Sequence, residues 1–218
     1  MLTRIFAAPL LLSIALLAQT SAPDRTVQGN SVISSHDPAV RITVPKEARY
    51  AGAERFVLYG IADCEIEVFV EADAAKNVVR LYWIQFEGYL PSKPDLHHAY
   101  DSPHHADLGS WDFYVDTWVR GRDETIKPGS DREAIERILK SKGYKMPEGM
   151  MYVRLVHLLD AEKRKELMII YGQDLSGTGA TVASLKEGGA NFSRWPSLQQ
   201  GLIERAKEKI AVQPLEHH

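Results

Sequence analysis

The sequence predicts an α+β domain built on a single antiparallel sheet of about five to six strands, with helices packed mainly on one face and a C-terminal helix docked on that sheet. Three observations lead there. Strand-like segments come first in a run of three, followed by a helix, two more strands and one or two helices, so the strict βα alternation of a doubly wound parallel sheet is absent. Residues 64–71 alternate between apolar and polar with period two, the pattern of a half-buried strand. The 218 residues, 44% hydrophobic, are enough for one proper core and show no composition break that demands a second domain.

At the N-terminus, residues 1–22 carry one positive charge at Arg4, an apolar run over 5–17, and the small polar stretch 18–22, with no acidic residue. This is the pattern of a secretory signal peptide. The apolar run, interrupted by Pro9, is shorter than the ~20 residues a membrane span needs. Cleavage after Ala18 or Ala22 would leave an exported protein, periplasmic or secreted, with no stable membrane span; Pro23 directly behind Ala22 makes the second bond the more awkward one. Residues 23–40 are polar and turn-forming and read as a flexible leader. The domain proper is expected over 41–212. Residues 215–218, Leu-Glu-His-His, resemble the start of an engineered polyhistidine tag and carry no functional argument.

Inside the domain, residues 41–44 form a short extended piece before Pro45. Cys64, Ile66, Val68 and Val70 then share one strand face, and Glu65, Glu67, Phe69 and Glu71 the other. A turn at 73–76 leads into a second strand over 77–89, rich in aromatic and branched residues, which completes a long hairpin. A third strand over 112–120 places Phe113, Val115, Thr117 and Val119 opposite Asp112, Tyr114, Asp116, Trp118 and Arg120. Ser130 and Glu133 form a capping box, and Ala134, Ile135, Ile138 and Leu139 follow at helical spacing until Gly143. Strands over 151–159 and 166–171 are joined by the charged hairpin 160–165. The unbroken run Leu167, Met168, Ile169, Ile170 predicts cover on both faces. A short helix is expected over 181–187. The last helix is expected from near Ser197, with Gln200 completing a second capping box and Leu198, Leu202, Ile203, Ala206 and Ile210 making its apolar stripe. Trp195-Pro196 fixes the chain entering that helix.

Composition excludes several function classes. With 26 basic and 29 acidic residues the net charge is -3, which gives no reason to expect nucleic acid or an anionic membrane surface as partner. The one cysteine, Cys64, can make no internal disulfide and reads as a small buried hydrophobe. No H-E-x-x-H, cysteine pair or G-x-S-x-G motif occurs. The glycine-rich stretch 172–179 lacks the lysine of a phosphate-binding loop and reads as a tight connection. His157, inside an apolar strand, reads as a hydrogen-bonded core histidine.

Two constellations remain. The segment 90–110 separates two strands with four histidines, three aspartates and three prolines, and a loop that long is generally functional or disordered. His97, His98, His104 and His105, with Asp95, Asp101 and Asp107, could ligate zinc or another divalent transition metal. Adjacent histidines in a regular strand point to opposite faces, so a polar surface loop is the simpler alternative. The second constellation is a ligand groove from Glu65, Glu67 and Glu71 on one strand and Asp112, Tyr114, Asp116 and Trp118 on another; rings and acids together suit a sugar or a cation. Its simpler alternative is a wet sheet face.

The residues name no reaction. The leading expectation is an exported domain that binds a small-molecule or protein ligand without catalysis. The alternatives are a metal-dependent enzyme of hydrolase type using the histidine-rich loop 97–105 with carboxylates from the sheet, and a structural cell-envelope protein.

Overall fold

The computed structural model describes residues 23–215, so the expected signal segment 1–22 and the last three residues of the tag-like end lie outside the described residues. In chain order the elements are β1 (Thr26–Gln28), β2 (Ser31–Ser35), β3 (Ala39–Thr43), β4 (Arg49–Leu58), β5 (Ala62–Ala72), β6 (Val78–Tyr89), β7 (His104–Leu108), β8 (Trp111–Gly121), α1 (Asp131–Ser141), β9 (Gly149–Leu158), β10 (Lys165–Asp174), α2 (Val182–Leu185), α3 (Trp195–Lys209) and β11 (Ala211–Pro214). The fold is therefore mostly β, and the expectation of a single sheet of five to six strands is overturned. A seven-stranded antiparallel sheet of order β4-β5-β6-β10-β9-β8-β7 faces a four-stranded one of order β1-β2-β3-β11.

The difference has a physical origin in the segment read as a flexible leader. Residues 26–43 are serine-rich and short in apolar runs, yet Val32, Val40 and Ile42 are fully buried and Ser34 nearly so. These strands cover a face of the large sheet that sequence alone leaves open. Glu65 and Glu67, expected on a wet face, are each only 1% exposed.

The helices lie on both sides of the large sheet rather than mainly on one. On one side Ala134, Ile135, Ile138 and Leu139 of α1 pack on Ile66, Val68, Val70, Leu81 and Ile170. On the other, Leu202, Ile203 and Ala206 of α3 join Val40 and Ile42 of the small sheet against Phe113, Val115, Leu155 and Ile169. Apolar area removed from water at ~25 cal/mol per Å² makes these two layers the main source of stability. As its unbroken run requires, β10 is covered on both faces.

Local chemistry explains the elements that match expectation. The β5–β6 hairpin closes on Asp73, whose Oδ1 accepts the backbone N–H groups of Ala75 (2.9 Å) and Asn77 (2.8 Å). Helix α1 starts on Ser130, whose Oγ accepts the Glu133 N–H at 3.2 Å, but the expected capping box is not closed, because the Glu133 carboxylate accepts the Gly129 N–H (2.8 Å) instead. The second capping box is not at Ser197: α3 begins at Trp195, continuing directly from a 3-10 turn over Phe192–Arg194 with Pro196 in its first turn, and no side chain caps it. A capping box does occur at α2, between Thr181 and Ser184. No helix among the described residues is long and apolar enough to cross a membrane.

Candidate metal centre

Strand β6 is apolar on its α1 side except at Gln85 and Glu87, and β10 begins with Lys165-Glu166. The β6–β10 register sets Glu166 directly opposite Glu87, and the β5–β6 register sets Cys64 on the other flank of Glu87. Two carboxylates thus stand side by side on one face near the end of the sheet. The segment between β6 and β7 crosses this end and brings His98 and Tyr100 to them. His98 Nδ1 lies 3.1 Å from Glu166 Oε2, and the Tyr100 hydroxyl donates to the same oxygen at 2.6 Å. Gln85 Nε2 donates to Glu87 Oε2 at 2.8 Å, while Gln85 Oε1 accepts the Trp83 indole N–H at 2.9 Å.

One ligand atom from each of Glu87, His98 and Glu166 lies within 4.8 Å of the other two. The site is secluded: His98 is 6% and Glu166 2% exposed, and Glu87 is partly buried. Burial pushes the Glu166 carboxyl up to about 7, with the Glu87 charge adding to the shift, and burial raises Glu87 as well. Burial lowers His98 to about 4, so near neutral pH its imidazole is uncharged and one ring nitrogen carries a lone pair. Burial also raises the Tyr100 phenol, which stays a hydrogen-bond donor. The cation that acts on Glu166 is Arg154, whose guanidinium is itself ion-paired with Asp116 at 2.6 Å and sits 5.1 Å over the Tyr100 ring.

Two carboxyls whose ionisation is resisted by burial and by one another thus stand beside a neutral imidazole. Buried like charges of this kind are costly without a compensating cation. His98 Nε2 is buried and has no hydrogen-bond partner among the described residues. Two carboxylates and an imidazole form a donor set of the zinc type, and Tyr100 and Gln85 are placed to orient the carboxylates from outside.

Of the histidine-loop candidates only His98 joins this cluster. His97 and Asp101 are exposed. His104 and His105 lie in β7, not in a loop, and point to opposite faces as adjacent strand residues must. His104 Nε2 meets Gln199 Nε2 at 2.7 Å, and His105 Nδ1 is 3.0 Å from Asp112 Oδ2 with its ring against Tyr114. Asp107, paired with Asp112 across the strands, is exposed.

The ligand groove is not assembled. The registers put Glu65, Glu67 and Glu71 on the small-sheet side, with Ile84, Ile169, Leu155 and Val115, and put Tyr114, Asp116 and Trp118 on the α1 side, with Val156, Arg154 and Tyr152. Glu67 accepts a hydrogen bond from Tyr50 (2.7 Å), Glu71 one from Tyr82 (2.6 Å), and Trp118 stacks on Tyr152. His157 is hydrogen-bonded as expected but is partly exposed rather than in the core, stacked on Trp111 with Nδ1 2.9 Å from the Asp112 carbonyl. Sequence reasoning missed Glu87, Glu166 and Tyr100. The available signal was a pair of polar residues, Gln85 and Glu87, interrupting one face of an otherwise apolar strand.

The chain matches no protein-family profile, no curated protein and no solved structure.

Proposed function

We propose that this chain is an exported, non-catalytic binding domain whose ligand is a divalent transition-metal ion of the zinc class, held by Glu87, His98 and Glu166. The observation that carries the reading is the convergence of three ligand atoms within 4.8 Å in a secluded site whose carboxyls, once ionised, are best matched by a bound cation. Export rests on the composition of residues 1–22. Binding rather than turnover is supported by the surroundings of His98: the rings of Tyr89 and Tyr100 stack on it at 4.5 and 6.4 Å between centroids. Three protein ligands would leave a fourth position to water, as in catalytic zinc sites, so it is the rings packed on His98 that favour holding the ion over admitting a substrate. The same enclosure, with His104 and His105 turned elsewhere, weighs against a hydrolase working through the whole 97–105 loop.

A second reading, a small polar ligand, is favoured by a cavity of about 320 Å³ lined by Arg25, Arg55, Glu65, Phe86 and Lys165. It ranks lower because these cations are already paired: Arg25 with Glu65, Arg55 with Asp63 and Lys165 with Asp37.

The test is metal analysis and zinc titration of protein lacking the signal segment and the terminal histidines. One zinc per chain is expected, lost in His98→Ala and Glu166→Ala and kept in His97→Ala and His104→Ala. Absence of stoichiometric binding, or binding indifferent to His98→Ala, would overturn the reading.

A further inference from the structure

We propose that Arg164 is the positioning residue of this centre, holding the 89–98 backbone in the shape that delivers His98 to Glu87 and Glu166. The inference rests on the metal-binding reading and assigns a role to the charged β9–β10 turn that its hairpin geometry alone does not require.

Arg164 is fixed from below, because Asp160 Oδ1 accepts its backbone N–H at 2.9 Å. Its guanidinium then gathers five main-chain carbonyls. The two N–H groups of Nη1 are shared among Lys93 O (2.9 Å), Pro94 O (2.8 Å) and Leu96 O (2.8 Å), and those of Nη2 point to Tyr89 O (3.4 Å) and Leu90 O (3.2 Å). The backbone of the same turn seals both ends of the segment: the Tyr89 N–H donates to Arg164 O at 3.0 Å and the His98 N–H to Lys163 O at 2.7 Å.

The chemistry suits this segment. Leu90 O and Lys93 O each accept one local N–H, from Lys93 (2.9 Å) and Leu96 (3.3 Å), and because Pro91 and Pro94 have no N–H to offer, the remaining acceptor capacity of the segment falls to a side chain. The guanidinium brings four terminal N–H groups in a fixed plane to these carbonyls, and a lysine ammonium would bring only three from a single point. The guanidinium also lies 6.0 Å from the Tyr89 ring centroid, and Tyr89 in turn stacks on His98. Arg164 thus reaches His98 by two routes, the backbone at Leu96 and the ring of Tyr89. Three of its hydrogen bonds are exposed, so removing the side chain leaves both apolar layers intact.

The experiment is zinc titration of the wild type, Arg164→Ala and Arg164→Lys. Arg164→Ala is expected to weaken zinc binding by about 10–100-fold, the usual effect of removing a group that orients a ligand. Lysine should restore little of it. Unchanged zinc affinity in Arg164→Ala, or full recovery with lysine, would overturn the inference. A metal-free readout separates the two proposals: the His98 ring protons should resonate upfield under Tyr89 in the wild type and move to solution positions in Arg164→Ala, with the apolar-core methyl signals unchanged. If wild type binds no zinc but the ring is released, the metal reading fails and the positioning role stands. An unmoved ring overturns the positioning role.

Discussion

Glu87 and Glu166 are directly opposed cross-strand neighbours on β6 and β10, two carboxylates sharing one secluded patch of sheet. Like charges in this relation destabilise a strand pair. Replacing Glu87 by glutamine removes the repulsion while leaving an oxygen to accept from Gln85. Metal-free Glu87→Gln should therefore be more stable than wild type at pH 8 by about 1 kcal/mol, or roughly 3 °C in melting temperature for a chain of this size. The same variant should lose the rise in melting temperature that zinc gives the wild type. Calorimetry in chelator and in zinc checks both halves; a metal-free variant that melts below wild type contradicts the account.

Glu67 supplies a pH dependence remote from that centre. Burial pushes its carboxyl up to about 7 from an ordinary value of 4.5, against the lowering effect of the Tyr50 hydrogen bond. The folded state thus holds a proton that the unfolded chain releases near pH 4.5. The stabilisation is complete below that pH and is lost as pH rises through about 7, a change of roughly 3 kcal/mol at 1.36 kcal/mol per pH unit. Glu67→Gln should flatten this part of the stability–pH curve and exceed wild type at pH 8. Urea denaturation at pH 5 and pH 8 measures it, and parallel curves for the two proteins would refute the assignment.

The contrast between the two glutamates shows what was legible in the sequence. The alternation over 64–71 and the Asp73 turn identify the β5–β6 hairpin, because a half-apolar strand and a side-chain-capped turn are local properties. What covers the Glu67 face is not local. It comes from β1–β3, whose serines and short apolar runs resemble a leader, and from β11, only four residues long and ending in proline. Strand β4 was hidden for a related reason: Arg49–Leu58 contains a bulge at Tyr50/Gly52 and few branched residues. At the centre, His98 is visible as part of a histidine-rich loop. Glu87 and Glu166 become partners only through the pairing of β6 with β10, which are far apart in sequence.

Glu65 holds the start of the described chain to the large sheet. Its carboxylate, fully enclosed, accepts the N–H groups of Asp24 (2.9 Å) and Arg25 (2.7 Å) and the Arg25 guanidinium (3.2 Å), while that guanidinium lies 4.3 Å over Phe86. Glu65→Ala would remove the counter-charge of the Arg25 guanidinium, which keeps Ser34 Oγ and the His36 and Asp37 carbonyls, and would leave two amides unpaired, a loss of about 3 kcal/mol, the low end of the cost of breaking a buried pair. Limited proteolysis should then cut within residues 24–30 well before the rest of the domain. Protection equal to wild type would show that β1 is held by other contacts.

Gly109 joins the two sheets at their C-terminal end through a close approach that no other residue permits. It has φ +62° in the β7–β8 turn, and a Cβ there would fall 2.3 Å from the Val212 carbonyl oxygen of β11. Gly60 has a similar φ of +73° but open space around the same position. Comparing alanine at the two sites separates backbone strain from collision. Gly60→Ala should cost about 1 kcal/mol for the left-handed conformation alone, and Gly109→Ala about 2–5 kcal/mol, because the turn or β11 must also move. Val212 is paired with Ile42 in the small sheet, so the displacement should appear as faster amide exchange along β11 and β3 in Gly109→Ala only. Equal costs at the two glycines would mean that the β11 contact yields freely, leaving the Glu65 clasp, the Lys165–Asp37 ion pair and side-chain packing to hold the small sheet to the large one.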